Sequence, residues 1–541
     1  MKKRLGNRIL ALGLALVLSI GLLTGCSSSD PKSTDSGKKA ETGKTDTADK
    51  TDEKNNEAAP EEQKKIDVTI VTMQGFVQPD SWLEKLWEER YNVNIEVLVL
   101  PGWSDGEAKV NLLMADEGQR PDVIWWWGLQ QEYKQWVDAG LLIDVAPYMD
   151  KYPNMKKYYS ETGDALFFAQ EANGSLYRIP GDVAEESCTV TLLRKDWMDK
   201  LGLSVPTTID EYKEVLRAFT FNDPDGNGQN DTYGFTGEGL SIRSFWPFYG
   251  AYGANPEKFV IKEDGSVVYG ATQPEVKEAL KVINELYMEG VIDPAIVTQN
   301  NISEIFAGGK WGSVYRWIAA MNPSDGQASA LKANNPGAEL MAIEPVAGPN
   351  GKKSEYFAGS ASWCYFAIIN TCDDPERVFA MFDDLATEEH WKEKIFGIEG
   401  EHYAIEDGVF KSLLADGQNE ADNIGLGLFK DLFARKDGAN IVNTPEVISL
   451  FEKSIGYAQV VKETSIEFKS ANRPVWKQYG GELQALRDQY LYGIISGAMP
   501  IDAFDEFVEK FYTIGGKEVE AEAAELYKEQ IAEYETYKSK K

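Results

Sequence analysis

From Ile66 the segment "IDVTIVT" alternates apolar and polar side chains, the period of a strand with one covered face, so a strand is expected there. The next segment, "SWLEKLWEERY", changes period: Trp82, Leu83, Leu86 and Trp87 fall on one face of a helix that Asp80 is placed to cap. "VNIEVLVL" then returns to a strand. Strand, helix and strand in so short a span imply a right-handed parallel crossover and an α/β body. The same rhythm continues through a helical "GEAKVNLLMADEG" into "RPDVIWWWG", an apolar strand that ends in Trp125, Trp126 and Trp127. Ligands of open α/β sheets collect at the carboxyl ends of strands, which makes this triplet a candidate wall of a site.

Further along, "PTTIDEYKEVLRAFT" has Thr208 and Glu211 in capping-box register and an apolar stripe of Ile209, Tyr212, Leu216 and Phe219. "PEVKEALKVINELYMEG" reads as a helix closed by Gly290, and "DPERVFAMFDDLA" as one opened by an Asp-Pro pair. Between them "GGKWGSVYRW" and "SWCYFAII" read as buried strands.

Ahead of this body stands a different kind of sequence. Lys2, Lys3, Arg4 and Arg8 precede the apolar run "ILALGLALVLSIGLL", which stops at "LTGC", the layout of a secretory signal. The tetrapeptide resembles the lipobox of bacterial lipoproteins, in which Cys26 would carry the lipid and residues 1–25 would be removed. An uncleaved anchor is the alternative, and the shortness of the run speaks against it. Residues 26–65, rich in Ser, Thr, Asp, Lys and Glu, cannot bury enough apolar surface to offset their ordering entropy, and are expected to form a flexible tether. No second membrane span and no internal repeat is legible.

Length and charge narrow the rest. A chain of 541 residues is long for one core, so two lobes or domains are expected. With 55 Lys+Arg against 87 Asp+Glu, the formal charge of -32 argues against nucleic acid as a partner. Cys188, Cys364 and Cys372 form an odd set without a disulfide pattern and are read as small buried hydrophobes. His390 and His402 are the only histidines, which leaves no zinc pattern.

One loop carries metal-ligand spacing. In "FNDPDGNGQNDTYGF", Asp223, Asp225, Asn227, the carbonyl of Gln229 and Asp231 stand at positions 1, 3, 5, 7 and 9 of a calcium loop, and Gly226 and Gly228 permit its turns. The bidentate Glu of position 12 is replaced by Gly234. A structural Ca2+ that pins the helix end to the strand from Thr232 is the reading adopted. A plain Asx/Gly turn and a catalytic metal are its alternatives.

Taken in order, the lipobox and tether, "PDVIWWWG" with "WVDAGLLIDV", "GSLYRIPGDVAEESCTVTLLRKDWMDKLGLSVPTTIDEYKEVL", "EIFAGGKWGSVYRW", "DDPERVFAMFDDLA" and "YGIISGAMPIDAFDEFVEKFYTIGG" resemble the extracellular solute-binding lipoproteins of bacterial carbohydrate ABC importers. The resemblance implies an α/β, two-lobed fold of the periplasmic-binding-protein type (type II), with hinge crossings and a ligand cleft between the lobes. It places the crossings near residues 178–187, 343–357 and 463–476. One lobe would hold residues 66–180 and 357–465, the other 185–345 and 470–541. The implied protein is a monomer, anchored by lipid on the extracytoplasmic side of the membrane, that binds an oligosaccharide and passes it to permease subunits without catalysis.

Sugars need flat apolar faces for their C–H sides and planar polar groups for their hydroxyls. Trp125, Trp126, Trp127, Trp246, Tyr249, Trp317 and Trp363 are the aromatic candidates, while Trp82 and Trp87 fit a core stripe. Arg178, Arg243 and Arg316 offer guanidinium forks, and Glu185 and Glu186 offer acceptors. If the arginines converge, the sugar carries a uronate. A glycoside hydrolase or lyase would use two of the many carboxylates instead, and a peptide-binding or adhesive lipoprotein would share the anchor and tether.

Overall fold

The computed structural model describes residues 64–539 except 74–79, 101–102, 128–129, 182–188, 322–325, 360, 363, 407–408, 416–423, 427–431, 434–444 and 470–471. The signal segment and nearly all of the expected tether therefore lie outside the described residues. So do Glu185, Glu186, Cys188 and Trp363.

The opening alternation does form strand β1 (Ile66–Met73), followed by a helix over Trp82–Tyr91, strand β2 (Val93–Leu100) and, after a second helix, strand β3 (Val123–Trp127). β1 pairs in parallel with β2 along its whole length and with β3 at Ile70 and Val71. One expectation is refined by burial. Val68 and Ile70 point to one covered side, but Val71 is also buried, so β1 is enclosed on both faces, as parallel strands usually are. The helix cap also differs by one residue. Ser81 caps it, accepting from the Glu84 N–H at 3.3 Å, while Asp80 turns to φ 61° and donates its own N–H to the Glu84 carboxylate. Burial pushes that carboxyl up to about 7.

Strands β4 (Ile179–Pro180), β5 (Thr189–Arg194) and β6 (Tyr233–Thr236), a hairpin of β7 (Phe259–Ile261) and β8 (Val267–Tyr269), and strands β9 (Trp311–Trp317), β10 (Leu340–Ile343) and β11 (Cys364–Ile368) follow in order. They sort into two main sheets. The first runs β2-β1-β3-β11-β4 and the second β10-β5-β9-β6. Each sheet has its own apolar cluster: Trp87, Trp125 and Phe366 belong to the first, Trp197, Phe219 and Phe248 to the second. The protein is thus built as two α/β lobes.

In the second lobe the helix over Ile209–Phe221 carries the capping box expected at Thr208 and Glu211. Its Phe219 presses against β9 at Gly312, where an added Cβ would stand 2.1 Å from the phenylalanine ring. Only glycine lets helix and strand approach so closely.

The chain leaves the first sheet after β4, enters the second at β5, and returns between β10 and β11. Its last return comes earlier than the expected 463–476. Leu432 and Phe433 pack in the first cluster, yet the helix over Pro445–Thr464 already packs Val447 with Val190, Leu192 and Trp311. Further along that helix, Ala458 and Val461 pack with Trp246, Tyr315 and Tyr356. A stripe at Val447, Ser454, Ala458 and Val461 has helical spacing and lies against the second sheet, where Ser454 donates to the Thr189 carbonyl at 3.3 Å. The residues expected to close the first lobe therefore build the second. From the far end of the chain, Tyr534 and Tyr537 reach the first lobe's Phe167, with ring centroids 4.9 and 5.4 Å away.

Candidate binding cleft

Two concavities lie where the lobes and the ends of the strands meet. The larger, about 770 Å³, takes one wall from the first lobe, with Phe168, Arg178 and Tyr365, and the other from the second, with Phe468, Arg473 and Trp476. Its volume is that of a ligand pocket. The first-lobe wall is firm. Arg178 is buried, its guanidinium carbon lies 4.3 Å from the Tyr133 ring centre and 4.1 Å from that of Tyr365, and its Nη2 donates to the Phe168 carbonyl at 3.2 Å. Two aromatic faces and a carbonyl hold the cation in place.

The smaller concavity, about 30 Å³, forms where the second sheet ends. The antiparallel register sets Thr189, the first residue of β5, beside Trp317, the last of β9. Arg243 and Glu238, from the stretch after β6, complete it together with Tyr315 and Arg316. Arg243 lies 4.2 Å above the Tyr356 ring and donates to the Tyr356 hydroxyl at 3.0 Å. Arg316 donates from Nε to Gln327 at 3.1 Å. Behind them the Tyr315 hydroxyl donates to the Glu355 carboxylate at 2.7 Å and accepts from Thr189 Oγ1 and the Tyr356 N–H. Glu355 is 1% exposed, and burial pushes its pKa up to about 8.

Of the expected site residues, Arg243, Arg316 and Trp317 gather at the smaller concavity and Arg178 lines the larger. Three others are corrected to core. Trp125 is fully buried and stacked on Phe366 at 5.6 Å, because β3 and β11 pair Trp125 opposite Phe366. Trp246 is buried, donates to the Ser354 carbonyl at 3.1 Å and meets Tyr356 edge-on, so it braces the crossing segment from within. Tyr249, on the same short helix, is fully buried in the second cluster. Trp126 and Trp127 end β3, and their side chains lie outside the described residues. The stretch holding Phe468, Arg473 and Trp476 was not anticipated. Its one local signal is "RPVW", a cation and an indole flanking a helix-opening proline.

The calcium-spaced loop is closed on itself. Asp223 accepts from the N–H groups of Gly226 and Gly228 at 3.1 Å each. The Asn227 amide nitrogen bridges the carboxylates of Asp225 at 2.8 Å and Asp231 at 3.1 Å, its oxygen accepts from the Gln229 N–H, and Lys310 pairs with Asp231 at 2.5 Å. Among the described residues no three His, Cys, Asp or Glu side chains converge as a metal site. Gly234 explains the missing twelfth ligand: a Cβ there would lie 2.2 Å from the Leu216 carbonyl oxygen.

Two α/β lobes joined by repeated crossings, with a cavity walled by both, define a two-lobed binding receptor. The family model of bacterial extracellular solute-binding proteins matches residues 69–390, and the chain belongs to that family. It is similar to the polygalacturonan/rhamnogalacturonan-binding protein YtcQ of Bacillus subtilis (strain 168), with 23% identity over 538 residues, 97% of this chain and 100% of the relative. It is 26% identical over 491 residues to Lipoprotein LipO of the same organism, covering 85% of this chain and 92% of the relative. Among solved structures, the Streptococcus pneumoniae ABC-transporter substrate-binding protein FusA, as an EF-hand mutant in complex with fructo-nystose, superposes with a TM-score of 0.65 at 21% identity, over 88% of this chain and 100% of that one.

Proposed function

We propose that the protein captures an oligosaccharide between its lobes and presents it to the permease of an ABC importer, without chemistry of its own. The observation that carries this reading is the cavity of about 770 Å³ with aromatic and guanidinium groups on both walls. Phe468 and Trp476 supply flat apolar faces, and Arg178 and Arg473 supply planar donors. The sugar specificities named for YtcQ and FusA support the same class of ligand. Lobe limits of 64–180 with 364–433, and 189–343 with 447–538, follow the packing. The lipobox-like tetrapeptide at Cys26, with the likeness to LipO, supports a lipid tether to the outer face of the cell membrane.

Thermal unfolding of the full chain against a saccharide panel tests the reading. A ligand that binds only the folded state adds about 2.7 kcal/mol at a hundred times its Kd. A saccharide-specific rise of the midpoint with unchanged sugar recovered is expected. Release of new reducing ends would replace the receptor by an enzyme, and silence across the panel would favour a peptide or adhesive partner.

The loop of Asp223, Asp225, Asn227, Gln229 and Asp231 is proposed to take a structural calcium ion, which supplies a hard positive charge that ties helix end to strand. Its donors are all oxygens, as that ion needs, and the EF-hand named for FusA supports the assignment. Asn227 would have to turn its amide oxygen towards the carboxylates and Lys310 to leave Asp231. Chelation is expected to lower the melting midpoint, and Asp225→Ala to abolish the chelator's effect. If wild type melts identically in calcium and in chelator, the loop is an ordinary Asx/Gly turn.

A further inference from the structure

The same cavity has a charge that contradicts the rest of the molecule. The chain bears a formal charge of -32, yet among the described residues lining this cavity Lys134, Arg178, Lys469, Arg473 and Lys477 are basic and none is acidic. Not all five are available. Lys134 pairs with Asp138 at 2.6 Å, and Lys469 with Glu533 at 3.0 Å while lying over the Phe167 ring.

Arg473 is different. Its guanidinium carbon sits 3.9 Å from the Phe468 ring centre and 4.9 Å from that of Trp476, so aromatic faces hold it in place. Its side chain is 13% exposed, and its Nε and Nη2 have no hydrogen-bond partner among the described residues. The neighbouring carboxylate of Glu522, 3.8 Å away, is committed elsewhere: it accepts the N–H groups of Val475 and Trp476 at 2.7 and 2.9 Å, at the start of the helix over Pro474–Ile495. A buried donor without an acceptor costs free energy unless a ligand supplies one. A guanidinium fork matches the two oxygens of a carboxylate. One helical turn on, Lys477 is exposed, lines the same cavity and makes no ion pair among the described residues.

We propose that this cavity selects saccharides bearing carboxylates, with Arg473 as the bidentate anchor, Lys477 as a second positive charge at the rim, and the aromatic walls taking the sugar rings. The inference rests on the oligosaccharide reading and deepens it: the ligand is an acidic, uronate-containing chain rather than a neutral one.

The test compares tri-galacturonate with its carboxyl-reduced counterpart, which has the same length and linkage without charge, by calorimetric titration of the full chain beside a panel of neutral oligosaccharides. Tri-galacturonate is expected to bind, and loss of the charge-assisted pair in Arg473→Gln to weaken it about tenfold to hundredfold. Lys477→Gln, a change at an exposed position that leaves the core intact, is expected to weaken it less and to flatten its salt dependence. Equal binding of the reduced trisaccharide, or preference for a neutral panel member, overturns the acidic specificity while the oligosaccharide reading stands. Tri-galacturonate binding that is unchanged in both variants overturns the assignment to this cavity. Failure of every acidic and neutral saccharide to bind overturns the oligosaccharide reading itself, and the inference with it.

Discussion

Truncating Trp125 to alanine is expected to destabilise the first lobe by about 3–5 kcal/mol, the range for deleting a large aromatic side chain from a packed core. Trp125 is 0% exposed, and its ring lies nearly parallel to that of Phe366, with 7° between the planes. No small movement of β3 refills that space, because the strand is hydrogen-bonded on both sides, to β1 and to β11. Urea denaturation of wild type and variant measures the difference. A loss below about 1 kcal/mol would mean the indole is not packed as described, since that is the scale of surface substitutions. The same experiment separates core from cleft: Trp317→Ala, at the half-exposed end of β9, is expected to move stability little.

A second large effect comes from Glu355. Its carboxyl is buried against Tyr315, and burial raises its pKa from an ordinary 4.5 to about 8, with the Tyr315 hydrogen bond opposing the rise. Because the folded state holds this proton more tightly than the unfolded chain, the stabilisation is complete below pH 4.5 and is lost as pH rises towards 8. The loss is about 1.4 kcal/mol per pH unit across that window, on the order of 4–5 kcal/mol in total. Glu355→Gln, which keeps the acceptor and cannot ionise, should remove this slope, so that the variant is the more stable protein at pH 8 and nearly equal to wild type at pH 4.5. Parallel slopes in the two proteins across the window would show that Glu355 ionises freely in the folded state.

Much of this architecture is written locally. The strand, helix and strand of residues 66–100 and the capping box at Thr208 and Glu211 are visible because periods of two and of 3.6 residues, and a cap three residues from its partner, need no tertiary information. What failed locally failed for a reason. In "VIWWW" Val123, Ile124 and Trp125 are all buried, and an all-apolar run has no alternation to show which ring turns inward. Trp246 and Tyr249 sit on a short helix that is apolar all round, and such a helix is enclosed rather than one-sided. The helix over Pro445–Thr464 announces its apolar stripe but cannot announce which of two sheets it will meet. Arg178 and Arg473 share a cavity across more than half of the chain, and no sequence window spans that distance.

The early return of the chain to the second lobe also fixes an order of assembly. Among the described residues the apolar cluster of the first lobe includes nothing later than Phe433, and later residues touch that lobe at Phe167, from Lys469, Tyr534 and Tyr537. The core of the second lobe includes Val519 and Ala523. During synthesis, where domains fold as units from the N-terminal end, the core of the first lobe can close while Val519 and Ala523 of its partner are still unmade. On this order the first core stands as a platform before the second is complete.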